Sequence, residues 1–222
     1  MPSPSICGST VPPALPEPAV PRLDGAVNIG AAATSLDAAQ VDRARALFAA
    51  HHALLLPGAF DPVLLASVMA LCRTTVFETE QVGTIGWRTI EAGDRAGRAL
   101  RFVLERGTFL RWAETVTGCA GLTNVSGVLA EMLPGTDHVL GWHDDCNDAT
   151  RRLALIVHLS DGPFEGGRFD LTRKGEERPI ATARYLPPGS ILLFRVDPTL
   201  RHRVTAVEGN RVRRVFAGWL NV

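Results

Sequence analysis

The sequence has little that would staple, charge or anchor it. Its four cysteines, Cys7, Cys72, Cys119 and Cys146, stand singly with no CxxC pair, which fits reduced thiols in a cytoplasmic setting better than a disulfide framework. Neither sign of charge is in excess: Lys plus Arg and Asp plus Glu both number 23, for a net charge of +0. No long-range field therefore draws the chain to nucleic acid or to an anionic membrane surface. No basic stretch followed by an apolar run opens the sequence, and no apolar run approaches bilayer-spanning length, so a cytoplasmic location is expected. The GxGxxG, P-loop, GxSxG and HExxH signatures are all missing.

What is present suits one folded domain. Hydrophobic residues make up 46% and charged residues 21% of 222 positions, enough to bury a sizeable core. Residues 1–22 hold seven of the fifteen prolines, a density that denies backbone donors to helix and sheet and predicts a flexible or polyproline-like lead. Residues 23–222 then form the domain, with 23–120 mainly helical support and 121–222 carrying the chemistry. Thr34 to Asp37 reads as a capping box, and Val41, Leu47 and Phe48 recur at helical spacing up to His51 and His52. "LLLPGAFDP" reads as a short strand, a turn and an Asp61 cap with Pro62 at the first helical position. Residues 78–94 are polar and glycine-bearing, as strands or a mobile loop near a site would be. A third helical region runs from Ala99 to Leu104 and continues from Thr108 to Val116, with Gly118 as its stop.

From Val125 the spacing changes to short β-type runs at residues 128–133, 139–142, 153–159, 168–171, 191–196 and 212–220. Strands in this number after a helical first half predict an α+β fold, with helices packed on one side of an antiparallel sandwich or barrel. One stretch stands out: "LGWHDDCND", where an apolar run ends in a histidine and two aspartates. In an extended segment His143 and Asp145 share a face, so an imidazole and a carboxylate can grip one cation while Asp144 points away. His202, in "TLRHRVTAVEGNRVRRVFAGWL", supplies a second imidazole. Two histidines and one carboxylate on one face of an octahedral ion leave positions free, the arrangement of non-haem Fe(II) oxygenases, whereas structural zinc sites close their shell. His158, inside "LALIVHLS", reads as a hydrogen-bonded core histidine. His138 faces away from His143, and His51 and His52 suit a helix C-terminus.

The segment from about Val128 to Val222 resembles the 2-oxoglutarate/Fe(II)-dependent dioxygenases, in particular their prolyl-4-hydroxylase-like branch. The resemblance is carried in order by "MLPGTDHVLGWHDD", "LALIVHLSDGPFEGGRFDL", "YLPPGSILLFRV" and "LRHRVTAVEGNRVRRVFAGWL". It implies a double-stranded β-helix, or jelly roll, with Fe(II), 2-oxoglutarate and O2 as cofactors and ascorbate as a candidate stimulant. It implies His143, Asp145 and His202 as iron ligands, and Arg213 or Arg211 as the anchor of the far 2-oxoglutarate carboxylate. Arg213 is favoured because an extended strand fixes its distance to Trp219. The tyrosine that many relatives use as a further cosubstrate contact has no counterpart in "GVLAEML", and the only tyrosine is Tyr185. Asp145 stands where related halogenases carry a small residue, which favours hydroxylation of an amino-acid, peptide or small-molecule substrate. Trp142, Asp144, Trp87 and Arg88 are the expected substrate contacts. The alternative is a catalytically silent metal-binding or regulatory jelly roll.

Overall fold

The computed structural model describes residues 18–222, so most of the proline-rich lead, with Cys7, lies outside the described residues. Two short strands, β1 (Val27–Ile29) and β2 (Thr34–Leu36), precede α1 (Val41–His51), β3 (Ala53–Leu56) and α2 (Pro62–Arg73). A hairpin of β4 (Phe77–Val82) and β5 (Gly86–Glu91) leads to α3 (Arg95–Leu104) and α4 (Gly107–Thr117). The rest is strand: β6 (Asn124–Met132), β7 (Leu140–His143), β8 (Arg151–His158), β9 (Glu165–Gly166), β10 (Phe169–Arg173) and β11 (Ala181–Ala183), then β12 (Ile191–Arg195), β13 (Leu200–Val204), β14 (Val207–Glu208) and β15 (Arg213–Asn221).

Eleven strands form one antiparallel sheet in the order β11-β10-β13-β7-β5-β6-β15-β8-β12-β3, with β4 on β5. The sheet curls into a nearly closed jelly-roll barrel. Strands buried on both faces read as continuous apolar runs, and the two faces sort by alternation. Leu153, Leu155, Val157, Ile191 and Leu193 face the helices, together with Leu54, Leu56 and Phe216. Ala154, Ile156, Leu192, Phe194 and Val215 face the barrel interior. Each helix adds its own apolar face to the first layer, such as Leu100 and Leu104 of α3 or Phe109 and Trp112 of α4.

Several local expectations change. Thr34 lies in a strand, and the cap belongs to Asp37, whose carboxylate accepts from the Ala39 N–H at 3.0 Å to start a 3-10 turn ahead of α1. Asp61 caps α2 as expected, accepting from the Val63 and Leu64 N–H groups. The third helical region is two helices, because Arg106 leaves the helical conformation (ψ 129°) and sends its guanidinium to the carbonyls of Gly30 and Ala31. Residues 18–23 are ordered rather than loose. The Val20 N–H donates to the Thr182 carbonyl on β11, and the Leu23 N–H donates to the Leu55 carbonyl on β3, each at 2.9 Å. One segment thus pairs with both edge strands, closing the seam of the barrel.

Gly127 and Gly218 face each other across β6 and β15. A Cβ on Gly127 would lie 2.6 Å from the Ala217 carbonyl oxygen and 2.7 Å from the Phe216 ring, so the fully buried Phe216 fills the space that the glycines leave. Phe216→Ala should therefore destabilise the fold by about 3–5 kcal/mol, read as a shifted midpoint in urea denaturation; a shift under about 1 kcal/mol would contradict this packing.

Candidate metal centre

The centre begins with strand register. β7 and β13 run antiparallel with His143 directly opposite His202, so two imidazoles from positions far apart in sequence become cross-strand neighbours, with ring centroids 4.1 Å apart. β13 was not among the strands expected from sequence, because Arg201 and Arg203 alternate with Leu200, His202 and Val204 and break up the apolar signal. Asp145 arrives by a different route from the one the sequence implied. β7 ends at His143, and Asp145 sits in the left-handed region at φ 60°, where a short polar side chain is best tolerated. A turn, and not the pleat, swings its carboxylate back. Its Oδ1 lies 3.6 Å from His143 Nε2 and its Oδ2 lies 3.4 Å from His202 Nε2. One ligand atom from each of the three residues falls within 4.8 Å of the others.

Neighbouring groups prepare each donor. His143 Nδ1 is 2.7 Å from the Gly141 carbonyl oxygen. That oxygen can only accept, so the proton is assigned to Nδ1 and the Nε2 lone pair is left for a cation. His202 is buried between Phe169 and Phe194, and that burial, with His143 alongside, pulls its pKa from 6.5 to about 3. It is therefore neutral, the form that ligates. The Trp219 indole N–H donates to Asp145 Oδ2 at 2.9 Å, and the Arg151 guanidinium stacks 3.8 Å over the Trp219 ring. Two imidazoles and a braced carboxylate, converging on one point beside open space, fit a non-haem ferrous ion with positions to spare.

That space is a cavity of about 480 Å³ running into the barrel, walled by Ala154, Ile156, Phe194, Val215 and Ala217. Arg213 lies on its wall at 3% exposure. Among the described residues its Nε has no partner, and its Nη1 has only the Met132 sulfur at 3.6 Å. Burial lowers its pKa to about 10, so it remains cationic at neutral pH. A buried cation with only a thioether beside it is costly unless an anion joins it. Gly167 makes room for this side chain, since a Cβ there would sit 2.8 Å from Arg213 Cδ. Arg211, the other candidate anchor, precedes β15, is exposed and does not line the cavity.

The four expected substrate contacts separate. Arg88 lines the cavity while its Nε donates to Glu80 at 2.6 Å, and Asp144 lines it too, held by Lys174 at 2.5 Å and by the Cys146 N–H at 2.9 Å. Trp142 lies under the Arg201 and Arg203 guanidiniums and borders a shallow neighbouring pocket with Asp144, Lys174 and Arg201. Trp87 is 37% exposed and lines neither space. The turn of its hairpin, residues 82–85, borders the cavity in its place, along with Asn147 and Arg151. Sequence reasoning missed Arg151, though a charge at the head of the apolar run "RRLALIV" was a usable signal. His138 is buried and accepts from the Leu133 N–H at Nδ1, a structural role. His158 is buried, but its Nδ1 lacks the hydrogen bond expected of it.

A family model described as the 2OG-Fe(II) oxygenase superfamily matches residues 128–221. No curated protein matches the sequence. Among solved structures, an oxidoreductase of the 2OG-Fe(II) oxygenase family from Burkholderia pseudomallei superposes with a TM-score of 0.62 at 16% identity, covering 90% of this chain and 95% of the other. A prolyl-4-hydroxylase from Pseudomonas putida gives 0.61 at 17% identity, covering 82% and 98%. A Trichoplax adhaerens prolyl hydroxylase, solved with a hypoxia inducible factor oxygen degradation domain peptide fragment, gives 0.59 at 15%, covering 84% and 94%. These likenesses establish the fold, and the matched segment contains all three converging residues. Residues 128–221, which include His143, Asp145 and His202, are thus similar to the 2OG-Fe(II) oxygenase superfamily.

Proposed function

We propose that the protein is a 2-oxoglutarate- and Fe(II)-dependent dioxygenase that hydroxylates an unactivated C–H bond of an amino-acid, peptide or small-metabolite substrate, with 2-oxoglutarate converted to succinate and CO2. The observation that carries this reading is the pairing, on one cavity, of a His143–Asp145–His202 donor set with a buried arginine that lacks an anion. When bound, ferrous iron with the 2-oxo acid supplies the oxygen activation that no side chain can.

The chain's own residues bind, orient and exclude water. His143 and His202 offer their Nε2 atoms, and Trp219 fixes the rotation of Asp145 through its hydrogen bond to Oδ2. Arg213 takes the far carboxylate of the cosubstrate, which supplies the charge its guanidinium lacks. The apolar wall from Ala154 to Phe194 keeps that ion pair dry and strong. Arg88, Asp144 and residues 82–85 border the remaining space and meet the substrate there, with Trp142 on the shallow pocket next to it. Two fold neighbours, a prolyl-4-hydroxylase and a prolyl hydroxylase held with a peptide fragment, support an amino-acid or peptide substrate.

The protein should release succinate from 2-oxoglutarate only when Fe(II) and O2 are both present, Asp145→Ala should abolish that release, and Arg213→Leu should weaken cosubstrate binding by about 2–5 kcal/mol, a rise in KM of about 30-fold or more. Uptake of metal with no succinate would instead identify a silent binding module. Trp219→Phe should lower Fe(II) affinity by about 10–100-fold in metal titrations, because Asp145 loses its brace. The metal-free protein should lose stability as pH falls from about 6.5, since unfolding lets His202 and His158, both held below 6.5 mainly by burial, take up protons. The unfolded state binds more protons there, so denaturation midpoints should rise with pH; a flat profile between pH 4 and 7 would contradict these burials.

A further inference from the structure

The register that sets His143 against His202 inside the barrel brings another group of side chains together outside it. Side chains alternate along β7 and β13, so Trp142, beside His143, and Arg201 and Arg203, on either side of His202, share the face opposite the two imidazoles. Both guanidiniums lie over the one indole, Arg201 at 4.9 Å and Arg203 at 4.6 Å from its ring centroid. Trp142 and Arg201 join His143, Asp144 and Lys174 around the shallow pocket, which encloses about 350 Å³. His143 and Asp144 line this pocket and the main cavity alike, so whatever occupies it lies beside the metal centre.

The two guanidiniums differ in what neutralises them. Arg203 Nε donates to the buried Asp170 carboxylate at 2.8 Å, and Arg168 reaches the same carboxylate at 2.8 Å. Among the described residues Arg201 has no carboxylate: its Nη2 donates to the Glu176 carbonyl at 3.0 Å, and its Nε is buried without a partner. The Glu176 and Glu177 side chains are exposed and do not line the pocket. Lys174 donates to Asp144 at 2.5 Å. The pocket wall therefore carries two cations, Arg201 and Lys174, against one anion, Asp144. A guanidinium already held over an indole is preorganised, so little further freedom is lost when its N–H groups meet a carboxylate.

We propose that Arg201, with Lys174 beside it, takes a carboxylate of the primary substrate in this pocket and makes the protein selective for acidic substrates. This rests on reading the centre as that of a 2-oxoglutarate-dependent hydroxylase. The group is the free α-carboxylate of an amino acid or an acidic side chain of a peptide, and either cancels the surplus positive charge while the rest of the substrate reaches the main cavity and its apolar wall. Arg213 lines only the main cavity and Arg201 only the shallow pocket, so the carboxylates of cosubstrate and substrate are sorted by position.

The test titrates matched ligands calorimetrically into the full chain loaded with Mn(II) and 2-oxoglutarate: free and N-acetylated amino acids against their primary amides, and proline-containing peptides carrying Glu against the same peptides carrying Gln. At least one carboxylate member should bind about 10-fold or more tightly than its amide. Arg201→Gln should bring that ratio close to 1 without weakening the amide, and Arg201→Lys should keep part of the preference. A response confined to amino acids would assign the α-carboxylate, and one confined to Glu peptides the side chain; both support the proposal. It is overturned if acids and amides bind alike, if Arg201→Gln keeps the preference, or if no carboxylate member binds. In each of those cases succinate release by the Fe(II) form leaves the hydroxylase reading standing, and its absence removes both. Should Arg201→Gln fail to fold, Lys174→Gln, at a half-exposed side chain, should lower the ratio by about 3-fold, and an unchanged ratio there overturns the proposal.

Discussion

The site depends on the register of one strand pair. β7 contributes only residues 140–143 and β13 only 200–204, yet their alignment sets His143 against His202. Strand side chains alternate with period two, so a one-residue slip would turn an imidazole out of the barrel and bring Trp142 or an arginine in. The register already shifts between His202 and Val204. Irregularities of this kind re-aim side chains at barrel rims. β13 is held on its other side by β10 over five residue pairs, and β7 meets the hairpin strand β5 at Gly86–Leu140.

The same dry interior has opposite effects on the two kinds of base it contains. Burial pulls His202 from 6.5 to about 3 and lowers Arg213 to about 10. The histidine crosses neutrality and becomes a lone-pair donor, while the arginine, starting so much higher, keeps its proton and its charge. One environment thus leaves lone-pair donors at one end of a single cavity and a cationic guanidinium at the other, the pairing that the proposed 2-oxo diacid cosubstrate requires.

Much of the scaffold could be read along the chain. Strands β6, β8, β12 and β15 contain apolar runs that announce themselves, as does the Asp61–Pro62 helix start. Harder to read was anything set by contacts remote in sequence. Arg106 breaks a helical pattern because carbonyls at residues 30 and 31 wait for it, which no local window reveals. β13 hid behind alternating arginines. His143, Asp145 and His202 were singled out by residue type and order, but the reason that Asp145 points inward, a left-handed backbone turn, was visible only in three dimensions. Arg151 and residues 82–85 were missed because cavity walls are defined by what lies opposite them. The same is true of Trp87, whose hairpin reaches the cavity while its own side chain does not.

The closed seam has a consequence for how such a barrel avoids its own kind. An open jelly roll ends in two rows of unpaired amides, and each invites a strand from another molecule. Here residues 18–23 occupy both rows, and the segment includes Pro18 and Pro21, whose carbonyls accept from Thr182 and Leu55 and whose nitrogens have no hydrogen to offer a newcomer. The segment acts as a terminator of sheet growth, and a chain trimmed through residue 23 would uncover two templates for intermolecular strand addition at once.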